Sequence, residues 1–311
     1  MIGPLLATAL AGVAGVPVAA SHRLRNAGQW VIGVALGLYF TPDIAAHIAA
    51  LAPAIGLGVV WALALGWAFH RWLAWTHPGE VRATTWFAAA IGGASEMAVL
   101  ADRAGASVDR VAAAHSLRVL IVVLIIPFAI QWSGAHGADP VPPALHAVRP
   151  AGLLALVTLT LAGAALMGWL RLPNPFVLGA LSVTAALTLS GVELSGLPPG
   201  AASVGQLLIG VSLGARFTPA FARAAPRWLA AVSVGTVGMM VLSAAFAWVL
   251  AQAFALHPAT AVLATSPGGI AEMAITAKVL ELGVPTVTAF HVVRYVAVLV
   301  LTGPLFKAGG A

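Results

Sequence analysis

"GGASEMAVL", residues 92–100, decides how this chain is read. It lies among long runs of Ala, Leu, Val and Gly, where a glycine pair should interrupt a helix and a glutamate should not enter. Downstream, "HSLR" adds His115 and Arg118 at the start of another apolar run. The second half repeats the arrangement with "GGIAEMAIT" at 268–276 and "HVVR" at 291–294. A Glu, a His and an Arg therefore recur in one order, twice, in an oily sequence.

Working outward, 61% of the 311 residues are hydrophobic and only 8% are charged. Soluble domains carry about 25% charged residues, so the composition excludes an ordinary soluble fold. Apolar runs of roughly 17–25 residues, the length that crosses a bilayer as a helix, recur along the chain. The fold class expected is all-α, a polytopic integral membrane protein whose first partner is the lipid bilayer. A β-barrel would alternate in polarity over segments of about 10 residues, and no such alternation is present.

The net charge of +6 comes from thirteen Arg with Lys278 and Lys307. These are scattered between apolar segments, so they bear on membrane orientation and not on nucleic-acid binding. There is no cysteine, which removes disulfides, iron–sulfur clusters and thiol chemistry. The N-terminal run "GPLLATALAGVAGVPVAAS" has the apolar core of a signal peptide, but no basic residue precedes it. It shares six of 14 positions with residues 179–192, so a retained helix is expected.

Internal duplication is the strongest signal. "GQWVIGVALGLYFTP" (28–42) and "GQLLIGVSLGARFTP" (205–219) share ten of 15 positions. Residues 91–118 and 267–294 share 11 of 28, at nearly the same offset. The apolar segments expected are 2–19, 28–47, 50–74, 84–101 and 111–132, then 149–170, then 174–190, 203–222, 228–254, 259–280 and 285–306. These are the ten to eleven hydrophobic segments of two homologous repeats. Residues 1–135 form the first repeat, short of a counterpart to 149–170 before residue 1. Residues 136–311 hold the linker helix and the second repeat.

Arginine placement suggests that the repeats are inverted. In the first copy Arg23, Arg25, Arg71 and Arg82 lie on one side, and the segment 41–50 carries no Lys or Arg. In the second copy the equivalent segment is the charged one, with Arg216, Arg223 and Arg227. The positive-inside rule then gives opposite orientations, as in many secondary transporters. Parity further requires one segment per copy that fails to cross completely. The Gly-Gly segments are the candidates, with Gly92, Gly93, Gly268 and Gly269 breaking the helix.

Gly33 with Gly37, and Gly210 with Gly214, form G-x-x-x-G pairs that read as helix packing. Glu96 and Glu272 are the costly residues, at about 2.5–3.5 kcal/mol on insertion scales. If the glycines break the helix, each Glu falls in the first turn of a half-helix, where the dipole favours a carboxylate. His115 and Arg118, and His291 and Arg294, are three apart and share a helix face. Two readings stay open for these six residues. One is a substrate or ion pathway, with Arg binding an anion or balancing charge and His carrying protons. The other is a buried Glu–Arg pair that fixes packing. No metal-ligand spacing, phosphate loop or nucleophile elbow is present, so no metal, cofactor or catalytic residue is expected.

The repeated "GQxxIGVxLG…FTP" and "GGxxEMA…HxxR" resemble the AbrB family of bacterial inner-membrane proteins, which are built by tandem duplication of a hydrophobic unit. The resemblance runs from Gly3 to about Phe306. It implies a multi-pass protein of the bacterial cytoplasmic membrane. Family labels include a regulator of gene expression and an ammonia monooxygenase, neither carried by residues of this sequence. The leading expectation is a transporter-like protein that moves a small solute, an organic anion among the choices, by alternating access. The alternatives are regulation of gene expression through a partner and, behind it, the monooxygenase. No nucleic acid is expected as a ligand. The sequence leaves the solute, the coupling ion and any homo-oligomer open.

Overall fold

A computed structural model describes residues 1–16, 18, 20–135, 137, 147–219 and 225–309. Arg223 and the expected repeat boundary at residue 136 lie outside the described residues. The described residues form fourteen helices and no strand. Five of the helices are long and apolar enough to cross a membrane, or six if one sharply bent pair counts as a single span.

The helices are α1 (Ile2–Val13), α2 (His22–Gly37), α3 (Pro42–Ala50), α4 (Ala52–Thr76), α5 (Arg82–Ala89), α6 (Ala94–Arg103), α7 (Val108–Trp132), α8 (Pro150–Trp169), α9 (Pro175–Leu189), α10 (Ala201–Gly214), α11 (Pro226–Phe254), α12 (Pro258–Thr265), α13 (Ile270–Val279) and α14 (Val284–Ala308). Trp75, Trp132 and Trp169 stand exposed at the ends of α4, α7 and α8, where amphipathic rings suit a headgroup layer. Some expected segments are shorter than read; where 203–222 was expected, α10 ends at Gly214. The first helix stops at Val13, and residues 28–47 are two helices, α2 and α3, bent by 88°. Pro42 explains the bend: it disfavours helix at Thr41 and opens α3 as its first residue.

Two compact units are present, Met1–Ala50 with Ala138–Ala222, and Leu51–Gly137 with Arg223–Ala311. Each draws on both sequence repeats, so the compact units and the repeats are different divisions of the chain. In the first unit, small residues set the packing. A Cβ on Gly33 would lie 2.5 Å from the Val177 carbonyl oxygen, and one on Gly37 2.5 Å from Thr184 Cβ, so α2 lies backbone-close on α9. Gly210 and Gly214 bring α10 equally close to α1, at Met1 and Leu5. Gly28 and Gly205, equivalent in the two repeats, meet each other where α2 crosses α10. Burying a chain turn requires its carbonyls to be met. The Thr188 hydroxyl, 2.8 Å from the Phe40 carbonyl oxygen, lies where α2 ends.

The second unit holds α4–α7 and α11–α14. Its core gathers Phe69, Leu73, Phe87, Met97, Val111, Trp228 and Val232. The long helices α4 and α11 are fastened by the stacked rings of Trp61 and Phe246, 4.6 Å apart, and by the Trp72 indole N–H donating to the Ala231 carbonyl at 2.9 Å. Tryptophan suits these places because its apolar body is buried while its N–H finds a partner. At the start of α7, Arg110 pairs with Glu80 and lies over the Trp228 ring.

Candidate functional site

Both Gly-Gly segments are broken helices, and both belong to the second unit. Between α5 and α6 the chain is extended at Ala90 (φ −56°, ψ 134°) and at Gly93 (φ −71°, ψ 139°). Between α12 and α13 it is extended at Ser266 (φ −58°, ψ 148°) and at Gly269 (φ −87°, ψ 163°). None of the four glycines has a positive φ, so conformational freedom is not what requires them. Space is. A Cβ on Gly92 would lie 2.9 Å from the Met97 methyl, and one on Gly268 2.8 Å from Met273 Cγ. A Cβ on Gly93 would land on the Glu96 carboxylate, and one on Gly269 on that of Glu272. In G-G-x-x-E-M the first glycine thus makes room for the methionine and the second for the glutamate. Met97 and Met273 are fully buried there.

Each glutamate is the third residue of its half-helix and folds back on its own N-cap glycine. The first N–H groups of a helix lack intrahelical partners, and the dipole end is positive, so a carboxylate is stabilised at that place. Both side chains are half-buried. Among the described residues, no hydrogen bond or ion pair holds the Glu96 carboxylate.

His115 and Arg118, near the start of α7, serve the other side of the first break. His115 Nε2 lies 2.9 Å from the Phe87 carbonyl oxygen, and an Arg118 terminal nitrogen lies 2.8 Å from His115 Nδ1. The other terminal nitrogen reaches the Ala88 and Ala89 carbonyls at 3.5 Å each. The second break is built alike. His291 Nε2 is 2.8 Å from the Leu263 carbonyl oxygen, and His291 Nδ1 is 2.9 Å from Arg294. Arg294 donates to the Ser266 and Gly268 carbonyls at 2.5 and 2.6 Å. All four side chains are buried. The last carbonyls of a helix have no intrahelical donor and carry the negative dipole end. In each copy, His and Arg supply donors and a positive charge to that end.

The loop after each second half-helix is tied back in the same way. Ser107 N–H donates to the Thr84 hydroxyl at 3.0 Å, and Gly283 N–H to the Thr260 hydroxyl at 3.3 Å. Sequence reading did not mark these threonines; they are the N-terminal Thr of each first half-helix, recoverable only by aligning the repeats. It also left Tyr295 unmarked. That ring, beside Arg294, lies 3.0 Å from where a Cβ on Gly93 would stand, so it brings α14 to the first break.

The structure therefore gathers all six marked polar residues and the four glycines at two broken helices of one unit. Arg118 does not lie within ion-pair distance of Glu96, the glutamate of its own copy, among the described residues. In the first copy Arg118 contacts the Ala88 and Ala89 carbonyls, and not the glutamate considered as its partner from sequence. Gly33, Gly37, Gly210 and Gly214 belong to the first unit and mark backbone approaches.

The family model for "Transition state regulatory protein AbrB" matches residues 1–309. The chain is similar to "Uncharacterized protein YhjN" of Bacillus subtilis (strain 168), 26% identical over 303 residues that cover 92% of this chain and 79% of the relative. It is similar also to "Putative regulator AbrB" of Escherichia coli (strain K12), 26% identical over 306 residues that cover 98% of this chain and 87% of the relative. No solved structure matches it. The chain belongs to the AbrB family.

Proposed function

We propose that this AbrB-family protein is a secondary transporter of the bacterial cytoplasmic membrane, moving a small solute by alternating access. The observation that carries the reading is the pair of broken helices in one compact unit, each with a glutamate in the first turn after the break. Irregular backbone at membrane depth survives where it is buried in protein or lines a watery cavity. Transporters use such half-helix ends for substrates and ions. Glu96 and Glu272 take the coupling proton or cation. The N–H groups of the half-helices face an anionic group of the solute, which makes small organic anions the class to try. The two repeats run in opposite orientations through the bilayer.

Uptake into proteoliposomes tests the reading, with a panel of small organic anions and an imposed proton or sodium gradient. Gradient-driven accumulation by the native protein is expected, and its loss in Glu96→Gln with Glu272→Gln. Absence of uptake of every anion under both gradients, or full uptake by a folded double variant, overturns it. The inverted arrangement has its own test, because the chain has no native cysteine. Single cysteines at Ala46 and at Arg227 are expected to react with impermeant reagents from opposite faces; labelling from one face removes the inversion.

A further inference from the structure

We infer that the two His-x-x-Arg pairs are positioning clasps, each closed by a histidine held neutral as the Nε2–H tautomer, and that neither histidine carries a proton during turnover. The inference rests on the transport reading for its last part only.

The tautomer follows from what each partner can do. A guanidinium has only donors and a backbone carbonyl is only an acceptor. His115 stands between the two, with Nδ1 at 2.8 Å from Arg118 and Nε2 at 2.9 Å from the Phe87 carbonyl oxygen. Nδ1 must therefore accept and Nε2 must donate. His291 stands in the same relation to Arg294 and Leu263, at 2.9 and 2.8 Å. A second proton could go only to Nδ1, where it would add a positive charge beside the guanidinium; the Gly268 carbonyl, which also faces the His291 ring, already accepts from Arg294 at 2.6 Å. Both rings are fully buried, so water does not relieve that clash.

The clasp also explains the spacing of the motif. His and Arg three apart share one helix face. There the imidazole reaches the third residue of the neighbouring half-helix counted back from its C-cap, Phe87 before Ala90 and Leu263 before Ser266. The arginine takes carbonyls nearer the break. Without these donors the half-helix end would be buried with unmet carbonyls, at about 1–3 kcal/mol each. The histidine keeps the arginine from turning away, since its Nδ1 occupies one guanidinium nitrogen. The residues left to exchange protons at the breaks are Glu96 and Glu272.

Nitrogen NMR of the full-length protein in lipid, labelled at histidine and assigned with His115→Gln and His291→Gln, tests the tautomer directly. Both rings are expected to keep a protonated Nε2 and a bare Nδ1 between about pH 5 and pH 8, where an unconstrained histidine titrates. Titration of either ring in that range, or the opposite tautomer, overturns the inference. Uptake supplies the second arm. A glutamine amide carries one acceptor and two donors, so it can serve the arginine and the carbonyl together, whereas phenylalanine fills the space and serves neither. The glutamine variants are expected to keep the parent's pH profile and a rate within about threefold, and the phenylalanine variants to lose about tenfold or more, the scale of one unmet buried partner. A folded glutamine variant with a shifted or flattened pH profile would show that the histidine titrates. If the native protein moves no solute, the transport reading fails by itself, and the NMR result still decides the clasp.

Discussion

The two breaks share a motif and a hydrogen-bond plan, yet they differ in tightness. At the second, Arg294 holds two carbonyls at 2.5 and 2.6 Å; at the first, Arg118 reaches two at 3.5 Å. Six of the ten residues of α13 are buried, against two of the ten of α6. Pro267 stands in the second break where the first has Ile91. The ring of Tyr295 approaches Gly93, and its counterpart by offset in the first repeat is Val119. The same device thus occurs twice, once as an anchored break and once as a looser one.

The largest effect that can break this comparison is on stability. Arg294→Gln should destabilise the detergent-solubilised protein by about 3 kcal/mol, because short hydrogen bonds to a charged donor are lost and buried carbonyls are left bare. Arg118→Gln should cost about 1 kcal/mol, since its two carbonyl contacts are already long. Thermal or denaturant unfolding measures both. Equal losses, or a larger loss at Arg118, would mean that the second break is not the anchored one.

Next comes the asymmetry of the carboxylates. Glu96 sits half-buried on a weakly packed half-helix with no hydrogen bond or ion pair among the described residues, and ionisable groups at membrane depth mark pathways. Glu96→Gln should slow uptake by about tenfold or more, on the scale of a lost coupling charge, and Glu272→Gln by less. A larger loss at Glu272 would move the working site to the second break.

The glycines sharpen the contrast further. Gly93→Ala would place a methyl on the Glu96 carboxylate and 3.0 Å from the Tyr295 ring, so the glutamate is displaced while a buried ring blocks relaxation. At Gly269 the three nearest atoms all belong to the Glu272 carboxyl group, and no ring stands among them. Uptake by Gly93→Ala should fall by about tenfold, in the range that overpacking by 1–3 kcal/mol produces, and Gly269→Ala should stay closer to the parent. Similar rates for the two would remove Tyr295 from the account.

Much of this was legible in the sequence, and the limits have physical causes. Runs of apolar residues fixed where helices lie, because length and hydropathy are local properties. Gly-Gly marked both breaks without showing why glycine is needed there; all four φ values are negative, and the cause is room for Glu and Met. The spacing of His115 and Arg118 put them on one face without revealing their partners. Those partners are carbonyls about 28 residues earlier, and backbone acceptors leave no trace in side-chain pattern. The interleaving of the repeats into two compact units was equally hidden, since a duplication shows which segments are alike and not which of them pack together.

The smallest effect separates what the proline does from what the arginine does. The residue before a proline is pushed to extended backbone, and Ser266 at φ −58° and ψ 148° has that conformation. Ala90 adopts nearly the same angles with Ile91 following it, so proline is not needed to make the break. Its contribution is to the unfolded chain, where it removes conformations, and Pro267→Ala should therefore cost only about 0.4–1 kcal/mol. Uptake should be close to that of the parent, because Arg294 still holds the Ser266 and Gly268 carbonyls. If Pro267→Ala instead costs as much as Arg294→Gln, the proline anchors the second break. The tighter arginine bonds there would then be a consequence of the anchored geometry and not its cause.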